Sequence, residues 1–468
     1  MYRAFHRHVL LAGFETFYKR RKTFRYLREL ERSQWLDPAQ LGALQLDALK
    51  NVLTHALAHC DFYREKWQEQ GLDPKRLECL ADFQSWPLID RNHVRASRQQ
   101  MRARVSGMRL IAKSTGGSTG EPVQFDLDWD SNDRRTAAAY RGYGWAGAAP
   151  GTRQLHLWGV PLVEQARGKR VKDAIFHRLH RRRFLSTFGL GDDQFRGYFD
   201  FWNSYKPQVV VAYTGSLYDF ARMIQARGLK PFSPQAIVVG AEKLHPFQRQ
   251  LIEHVFAAPV FETYGSREFM LIGAECERHE GLHLTQENLL VEVLNPDGTP
   301  SREGEEGEVV VTDLFNYGMP FIRYRTGDRA IAGWTSCSCG RGLPLLRSVT
   351  GRTMDTLTTP DGRRVSGALF PHLLKDFPSV SRFQVIQDQP DHIELRVVLS
   401  EGWNDSDRRN IENIVRSKLG QSVRFDLVKV NDIPLTGAGK LRVVINQCDP
   451  HAVGTIHAAQ EAPAEIPA

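Results

Sequence analysis

Ser114-Thr115-Gly116-Gly117-Ser118-Thr119-Gly120-Glu121-Pro122 is the stretch on which the reading of this chain turns. Three glycines, two serines and two threonines fill positions 114–120. Glycines let backbone N–H groups turn toward a polyphosphate, and hydroxyls add donors without a fixed charge. Lys113 precedes the run, Leu110-Ile111-Ala112 reads as a strand leading in, and Val123-Gln124-Phe125 reads as a β-like run leading out. The run is therefore a tight strand–loop–strand turn, with a flexible linker as the plain alternative. It is not a Walker loop, which ends in Gly-Lys-Ser/Thr, nor a Gly-x-Gly-x-x-Gly dinucleotide fingerprint. Residues 116–120 also fit the Gly-x-Ser-x-Gly pattern of a hydrolase elbow. That elbow needs a strand-to-helix turn, whereas Glu121-Pro122 and a β-like run follow here.

Upstream of the loop, residues 25–35, 41–57 and 62–71 place apolar residues at helical spacing, so 1–85 reads as a helical region. Downstream, short apolar runs at 154–158, 209–212, 236–239 and 260–262 alternate with helical patterns such as 216–227 and 246–256. Strands alternating with helices predict a largely parallel sheet. Residues 282–333 are more continuously β, with strands expected at 283–285, 289–295, 308–313 and 322–324 in a barrel-like subdomain and a turn at Asn295-Pro296-Asp297-Gly298. Residues 366–447 carry strands at 383–387, 393–399 and 423–430 and a helix at 405–419. The fold class is thus α/β: a large N-terminal domain with mostly parallel sheets and a β-rich subdomain, plus a small α+β C-terminal domain. The expected boundaries are 1–85 for the helical region, 86–352 for the large domain, 353–450 for the small domain, and 451–468 for a disordered Ala/Pro/Glu-rich tail.

The 468 residues are 41% hydrophobic and 25% charged, as in globular proteins that dissolve in water. No stretch reaches the roughly 18–20 apolar residues of a membrane span, and the start lacks a secretory apolar core with a cleavage site, so a cytoplasmic location is expected. The net charge of +8 is concentrated: residues 1–34 hold nine Lys/Arg against three Glu, and 167–183 hold eight against one Asp. The first segment mixes Phe5, Val9, Leu10, Phe14, Phe17 and Phe24 with Lys19-Arg20-Arg21-Lys22. It reads either as an interfacial helix giving peripheral membrane contact or as a solvated helix capping the fold. The second reads as a solvated surface loop at 178–183. No nucleic-acid motif accompanies it, so no nucleic-acid partner is expected. Cys60, Cys79 and Cys448 are scattered, as expected of free thiols in a reducing compartment.

Five further segments follow the loop in order: Gly240-Ala241-Glu242-Lys243, Tyr264-Gly265-Ser266-Arg267-Glu268, Tyr324-Arg325-Thr326-Gly327-Asp328, Gly351-Arg352-Thr353-Met354-Asp355 and Pro434-Leu435-Thr436-Gly437-Ala438-Gly439-Lys440. With Ser114–Gly120 they resemble the motif set of the adenylate-forming superfamily of acyl-CoA synthetases, peptide synthetases and luciferases. Gly240-Ala241-Glu242-Lys243-Leu244, Cys337-Ser338-Cys339-Gly340-Arg341 and the pattern Trp35, His55, His59, Phe62-Tyr63 are most similar to the phenylacetate–CoA ligase branch, in the subgroup of adenylating proteins of capsular or exopolysaccharide biosynthesis.

The resemblance implies roles. Ser114, Thr115, Gly116, Gly117, Ser118, Thr119 and Gly120 would hold the ATP phosphates. Gly240, Ala241 and Glu242 would line the adenine pocket, where Tyr264 stacks beside Gly265 and Ser266. Asp328 would accept the ribose hydroxyls, Glu268 would bind Mg2+, and Arg352 would contact ribose or phosphate at the hinge. Lys440 would stabilise charge on the α-phosphate and the attacking carboxylate. Arg267 stands where the family has a hydroxyl residue, and Met354 replaces the first acidic residue of the hinge, which bears on the second half-reaction. The small domain is expected to be mobile.

Cys276, His283, Cys337 and Cys339, with His279 as a substitute, offer four tetrahedral ligands for a structural Zn2+. Reduced, unligated thiols are the alternative. The expected chemistry is activation of a small-molecule carboxylic acid with ATP and Mg2+, then transfer to coenzyme A. Alternatives are a carrier-protein thiol or a sugar amine or hydroxyl as acceptor, or a non-catalytic scaffold at a membrane. A monomer or homodimer is expected. The acid pocket is expected around His156–Gly159, Tyr213–Ser216 and Val239–Gly240.

Overall fold

The computed structural model describes residues 6–114, 123–158, 167–186, 192–334, 336–352, 356–360, 364–366, 369–374, 377, 379–434 and 443–448. The chain divides into two compact units, one holding the described residues of Met1–Ser114 and Gln124–Thr350, the other Val123 and the described residues from Gly351 onward.

In the larger unit, the short helical turns His6–Leu11 and Phe14–Tyr18 come first, followed by helices Thr23–Ser33, Pro38–His59 and Asp61–Glu69. Helix Pro38–His59 starts sharply because Asp37 accepts the Gln40 N–H, Gln40 reaches back to Asp37, and Pro38 takes the first helical position, where its missing N–H costs nothing. Strands β1 (Leu110–Ser114) and β2 (Gln124–Asp128) then pair antiparallel, Leu110 opposite Asp128 and Ser114 opposite Gln124. The glycine- and hydroxyl-rich run therefore connects two strands of one hairpin. This is not the strand-to-helix geometry of a hydrolase elbow.

The main sheet has eleven strands. Strands β3 (Gln154–Trp158), β4 (Arg182–Ser186), β5 (Val209–Tyr213), β6 (Ala236–Gly240) and β7 (Val260–Tyr264) are parallel, in the order β4-β3-β5-β6-β7. Val209-Val210-Val211-Ala212 is apolar throughout because both faces are covered. Val210 and Ala212 join Leu155, Ile237 and Val239 under Trp202, Phe220 and Phe256 from helices Asp192–Tyr205, Thr214–Ala226 and Pro246–Phe256. Val209 and Val211 face the other way, with Val238, Phe261 and Tyr143 of helix Trp129–Trp145. Emptying such a site, as in Trp202→Ala, costs about 3–5 kcal/mol.

The β-rich region joins this sheet at β7. Strands β8 (Gly273–Glu275), β9 (Leu282–Leu284), β10 (Leu289–Leu294), β11 (Glu306–Asp313), β12 (Tyr324–Ala332) and β13 (Leu345–Arg352) continue it in the order β7-β8-β9-β13-β12-β11-β10. The strand expected at 322–324 is replaced at its start by a turn. Arg323 sits at φ 49°, so β12 begins only at Tyr324.

The basic run 178–183 is not a loop. Arg178 lies in the last turn of helix Arg167–Leu179, Arg181 turns at φ 54°, and Arg182 opens the edge strand β4.

The smaller unit holds a hairpin of β14 (Thr356–Thr358) and β15 (Arg364–Ser366), and a four-stranded sheet of β16 (Val380–Gln389), β17 (His392–Leu399), β18 (Arg424–Lys429) and β19 (Val444–Asn446) in the order β18-β17-β16-β19. Helix Asp405–Leu419, capped by the Asn404 side chain, packs Ile411, Val415 and Leu419 with Val385, Ile393, Leu395 and Val397. Among the described residues, no helix is long and apolar enough to cross a membrane.

Candidate functional site

Parallel strands converge their functional loops at their carboxyl ends. Here β5, β6 and β7 are in register, Tyr213 beside Gly240 and Val239 beside Glu262. The segments Tyr213–Gly215, Gly240–Glu242 and Tyr264–Glu268 therefore leave the same edge of the sheet side by side.

Each exit is fixed by its own contacts. After β6 the chain turns at Ala241, a non-glycine residue at φ 69°. Such a conformation costs about 1–3 kcal/mol and persists only where the surroundings impose it. They do so at three points. Thr263 Oγ1 donates to the Val239 carbonyl at 2.8 Å, the Leu244 N–H donates to Glu262 Oε1 at 3.1 Å, and Glu242 Oε2 accepts the Gly215 N–H at 2.7 Å. Burial pushes the Glu262 carboxyl up to about 7. Gly240 is required because a Cβ there would stand 2.5 Å from Thr263 Oγ1.

After β7 the loop 265–270 is tighter still. A Cβ on Gly265 would lie 1.9 Å from the Met270 carbonyl oxygen, and Met270 itself is at φ 66°. The Ser266 carbonyl accepts the Met270 N–H at 2.7 Å, and its hydroxyl accepts the Phe269 N–H at 3.3 Å. From below, Arg135 donates one guanidinium nitrogen to the Glu268 carbonyl and another to Asp313 Oδ2. Arg135 and Asp313 are 5% and 2% exposed, so this pair is buried.

The loop is then joined to β12: Tyr264 Oη donates to Asp328 Oδ2 at 2.8 Å, with both residues buried. Two segments 64 positions apart in sequence thus meet through a charged hydrogen bond. The Asp328 N–H is in turn held by Thr326 Oγ1 at 3.1 Å.

The β1–β2 hairpin reaches the same region. Lys113 on β1 is held below the usual lysine range, first by burial and then by the positive charges of Arg267 and Arg135. Crowded cations of this kind are relieved by a polyanion. The hairpin is anchored by Asp128, whose Oδ1 caps the following helix through the Ser131 N–H at 2.7 Å while Oδ2 accepts the Tyr317 and Gly318 N–H groups at 2.8 and 3.2 Å. Residues 115–120 of the glycine-rich run lie outside the described residues, as do Thr353, Met354 and Asp355 of the hinge and Lys440. Arg352 ends β13.

At the expected acid pocket, Trp158 and Tyr213 put their ring centroids 4.3 Å apart at the ends of β3 and β5. His156 instead is a core residue, stacked on Phe184 at 4.7 Å with Nε2 against Gln154 Oε1 at 2.9 Å. Burial holds it well below the usual histidine range. Gly159 lies outside the described residues.

The ligand atoms of Cys276, His283, Cys337 and Cys339 all lie within 4.8 Å of one another. Cys276 Sγ and Cys337 Sγ are 3.8 Å apart, and Cys339 Sγ is 3.3 Å from His283 Nε2. Backbone N–H groups of Arg278, Cys339 and Arg341 point at the three sulfurs at 3.4–3.5 Å. His283 Nδ1 is turned to the Leu343 carbonyl at 3.2 Å, which leaves Nε2 facing the thiols. Three thiols with N–H support and an imidazole oriented by its second nitrogen suit a tetrahedral zinc ion. His279, expected as a substitute ligand, is engaged elsewhere, with Nδ1 against Glu275 Oε2 at 3.2 Å and its ring 4.6 Å from Phe261.

Arg135 and the Tyr264–Asp328 bond escaped the sequence reading. Arg135 stands in a run of polar helix residues, Asn132-Asp133-Arg134-Arg135, and nothing in that run marks which one turns inward.

Comparison with known proteins accords with this arrangement. Residues 357–447 match the CapK C-terminal domain family. The phenylacetate–coenzyme A ligase of Thermus thermophilus is 26% identical over 460 residues, covering 90% of this chain and 99% of the relative. Protein CapK of Staphylococcus aureus is 25% identical over 449 residues, covering 92% and 94%. The crystal structure of 2-hydroxyisobutyryl-CoA ligase in the postadenylation state, with R3-HIB-AMP, aligns at a TM-score of 0.72 and 21% identity, covering 89% of this chain and 91% of that one. The fold is that of the adenylate-forming ligases. Within that class, the homologues of this chain are phenylacetate–CoA ligases and the CapK protein.

Proposed function

We propose that this protein activates a small carboxylic acid at the expense of ATP and passes the acyl group to coenzyme A. The substrate carboxylate attacks the α-phosphate, pyrophosphate leaves, and the resulting acyl-AMP is taken by the thiol. The observation that carries this reading is the convergence of three loops at the ends of β5, β6 and β7, joined to Asp328 through Tyr264 at 2.8 Å. It is supported by similarity to the phenylacetate–CoA ligase of Thermus thermophilus along nearly its whole length.

On this reading Asp328, fixed by Tyr264, holds the ribose hydroxyls, and Gly240, Ala241 and Glu242 flank the base. Lys113 and Arg267 face the phosphates, with the glycine-rich run 114–120 supplying N–H and hydroxyl donors. Glu268, an oxygen donor next to Arg267 in the chain, is the residue that would hold Mg2+, a hard ion that neutralises phosphate charge. By the resemblance, Arg352 would contact ribose or phosphate and Lys440 would stabilise charge on the α-phosphate. No side-chain nucleophile is required. Cys276, His283, Cys337 and Cys339 would hold a closed, structural Zn2+ with no place in the reaction. The enzyme would act as a monomer or homodimer, with its basic N-terminal region resting on a membrane.

A second reading keeps the adenylation and changes the acceptor to a carrier-protein thiol or a sugar amine or hydroxyl. The match of residues 357–447 to the CapK C-terminal domain favours it, as does Met354 at the hinge. Incubation with ATP, an acid panel and coenzyme A separates the two. Acyl-CoA in the mass spectrum supports the first, and acid-dependent pyrophosphate exchange without acyl-CoA supports the second.

A further inference from the structure

Two segments stand apart in charge and exposure. Residues 1–34 and 167–183 together hold seventeen Lys/Arg against four acidic residues, more than the whole net charge of +8. Among the described residues fourteen large apolar side chains are exposed, and seven of them lie within 6–34 and 167–186. That is half of the exposed apolar residues in a small fraction of the chain, so the concentration is not the ordinary scatter of surface hydrophobics.

The two segments are neighbours. Glu15 Oε1 and His180 Nε2 meet at 3.2 Å, with both side chains buried. Leu11 and Leu179 share one apolar cluster. In the turns His6–Leu11 and Phe14–Tyr18, the buried His6, Leu11 and Glu15 face this contact. Their neighbours point out: Phe17 is 83% and Tyr18 76% exposed. On helix Arg167–Leu179, Val171 and Ile175 sit one turn apart, 55% and 54% exposed, with Lys172 and Arg178 exposed beside them. Lys19 stands 5.8 Å from the rings of both Phe14 and Tyr18.

Branched aliphatics and aromatics on an outward face ringed by lysine and arginine suit an interface where apolar chains lie beneath anionic headgroups. Nucleic acid would take the charge but has no use for the exposed aliphatic pair. A second copy meeting this face through a two-fold axis would set the same positive charge against it. We propose that this bipartite face, built from residues 6–20 and helix Arg167–Leu179, docks on the surface of an anionic lipid bilayer. Phe17, Tyr18, Val171 and Ile175 enter the headgroup boundary there. This deepens the membrane contact proposed above and does not depend on the acyl-transfer chemistry.

The test is co-sedimentation of the full chain with phosphatidylcholine vesicles and with phosphatidylcholine–phosphatidylglycerol vesicles, at low and high salt. Pyrophosphate exchange and a thermal melt on the same samples report activity and folding separately from docking. The expected result is retention on the anionic vesicles that falls with salt. The variant Val171→Asp/Ile175→Asp, and separately Phe17→Ser, should each lower the bound fraction about tenfold or more while melting and exchange stay unchanged. Undiminished retention by folded variants, equal retention on both vesicle types, or no retention at all would overturn the proposal. So would a solution dimer that the aspartate variant dissociates, or a nucleic-acid complex that displaces the vesicles.

Discussion

Arg135→Met tests how the Glu268 loop is held. Arg135 is 5% exposed and serves two acceptors, the Asp313 carboxylate and the Glu268 carbonyl. The change leaves Asp313, 2% exposed, with the Phe315 N–H at 3.0 Å on its other oxygen. Breaking a buried ion pair from one side costs about 3–5 kcal/mol, most of it from the charge left behind. Arg135→Lys keeps the charge but cannot serve both acceptors in a fork, so it should lose about half as much. In Arg135→Met/Asp313→Asn no orphan charge remains, and the double variant should be more stable than Arg135→Met alone. The loop also loses its anchor, and each 1.4 kcal/mol of lost order raises the KM for Mg·ATP about tenfold. Urea denaturation gives the first quantity, and pyrophosphate exchange against ATP concentration gives the second. A loss under about 1 kcal/mol in Arg135→Met, or strict additivity in the double variant, would refute the reasoning.

Other consequences are equally direct. Tyr264→Phe removes a hydrogen bond to a buried carboxylate, of about 1.5–3 kcal/mol, and should raise the KM for ATP about 10- to 100-fold with the fold kept. Purified protein should hold one zinc per chain by metal analysis, and Cys337→Ser should lose it and melt at lower temperature while the surviving folded fraction keeps its exchange activity. His156 and His180 are held below their usual range chiefly by burial. Between those depressed values and about 6.5 the unfolded chain binds protons that the folded chain refuses, so stability falls as pH drops below about 6.5. Melting from pH 7.5 to 5.5 should show this decline, and His156→Gln should make it shallower.

The parallel strands were legible because strands buried on both faces are continuously apolar, as Val209-Val210-Val211-Ala212 shows. The segments Gly240–Lys243 and Tyr264–Glu268 stood out in sequence because tight turns at strand ends require glycine. Gly265, with no room for a Cβ, is the clearest instance. What sequence could not give was pairing. Nothing in it says that Tyr264 spends its hydroxyl on Asp328, that Arg135 turns inward, or that His279 prefers Glu275 to the thiols. Such choices are settled by which groups the fold buries together. The strand expected at 322–324 starts only at Tyr324 for a local reason, the left-handed turn at Arg323.

The most direct test of the account is ATP–pyrophosphate exchange with a panel of carboxylic acids, run on the native chain and on Lys440→Ala. Exchange should appear only with a suitable acid and be almost lost in a folded Lys440→Ala. ATP binding without exchange for any acid, or full exchange in that variant, would contradict it.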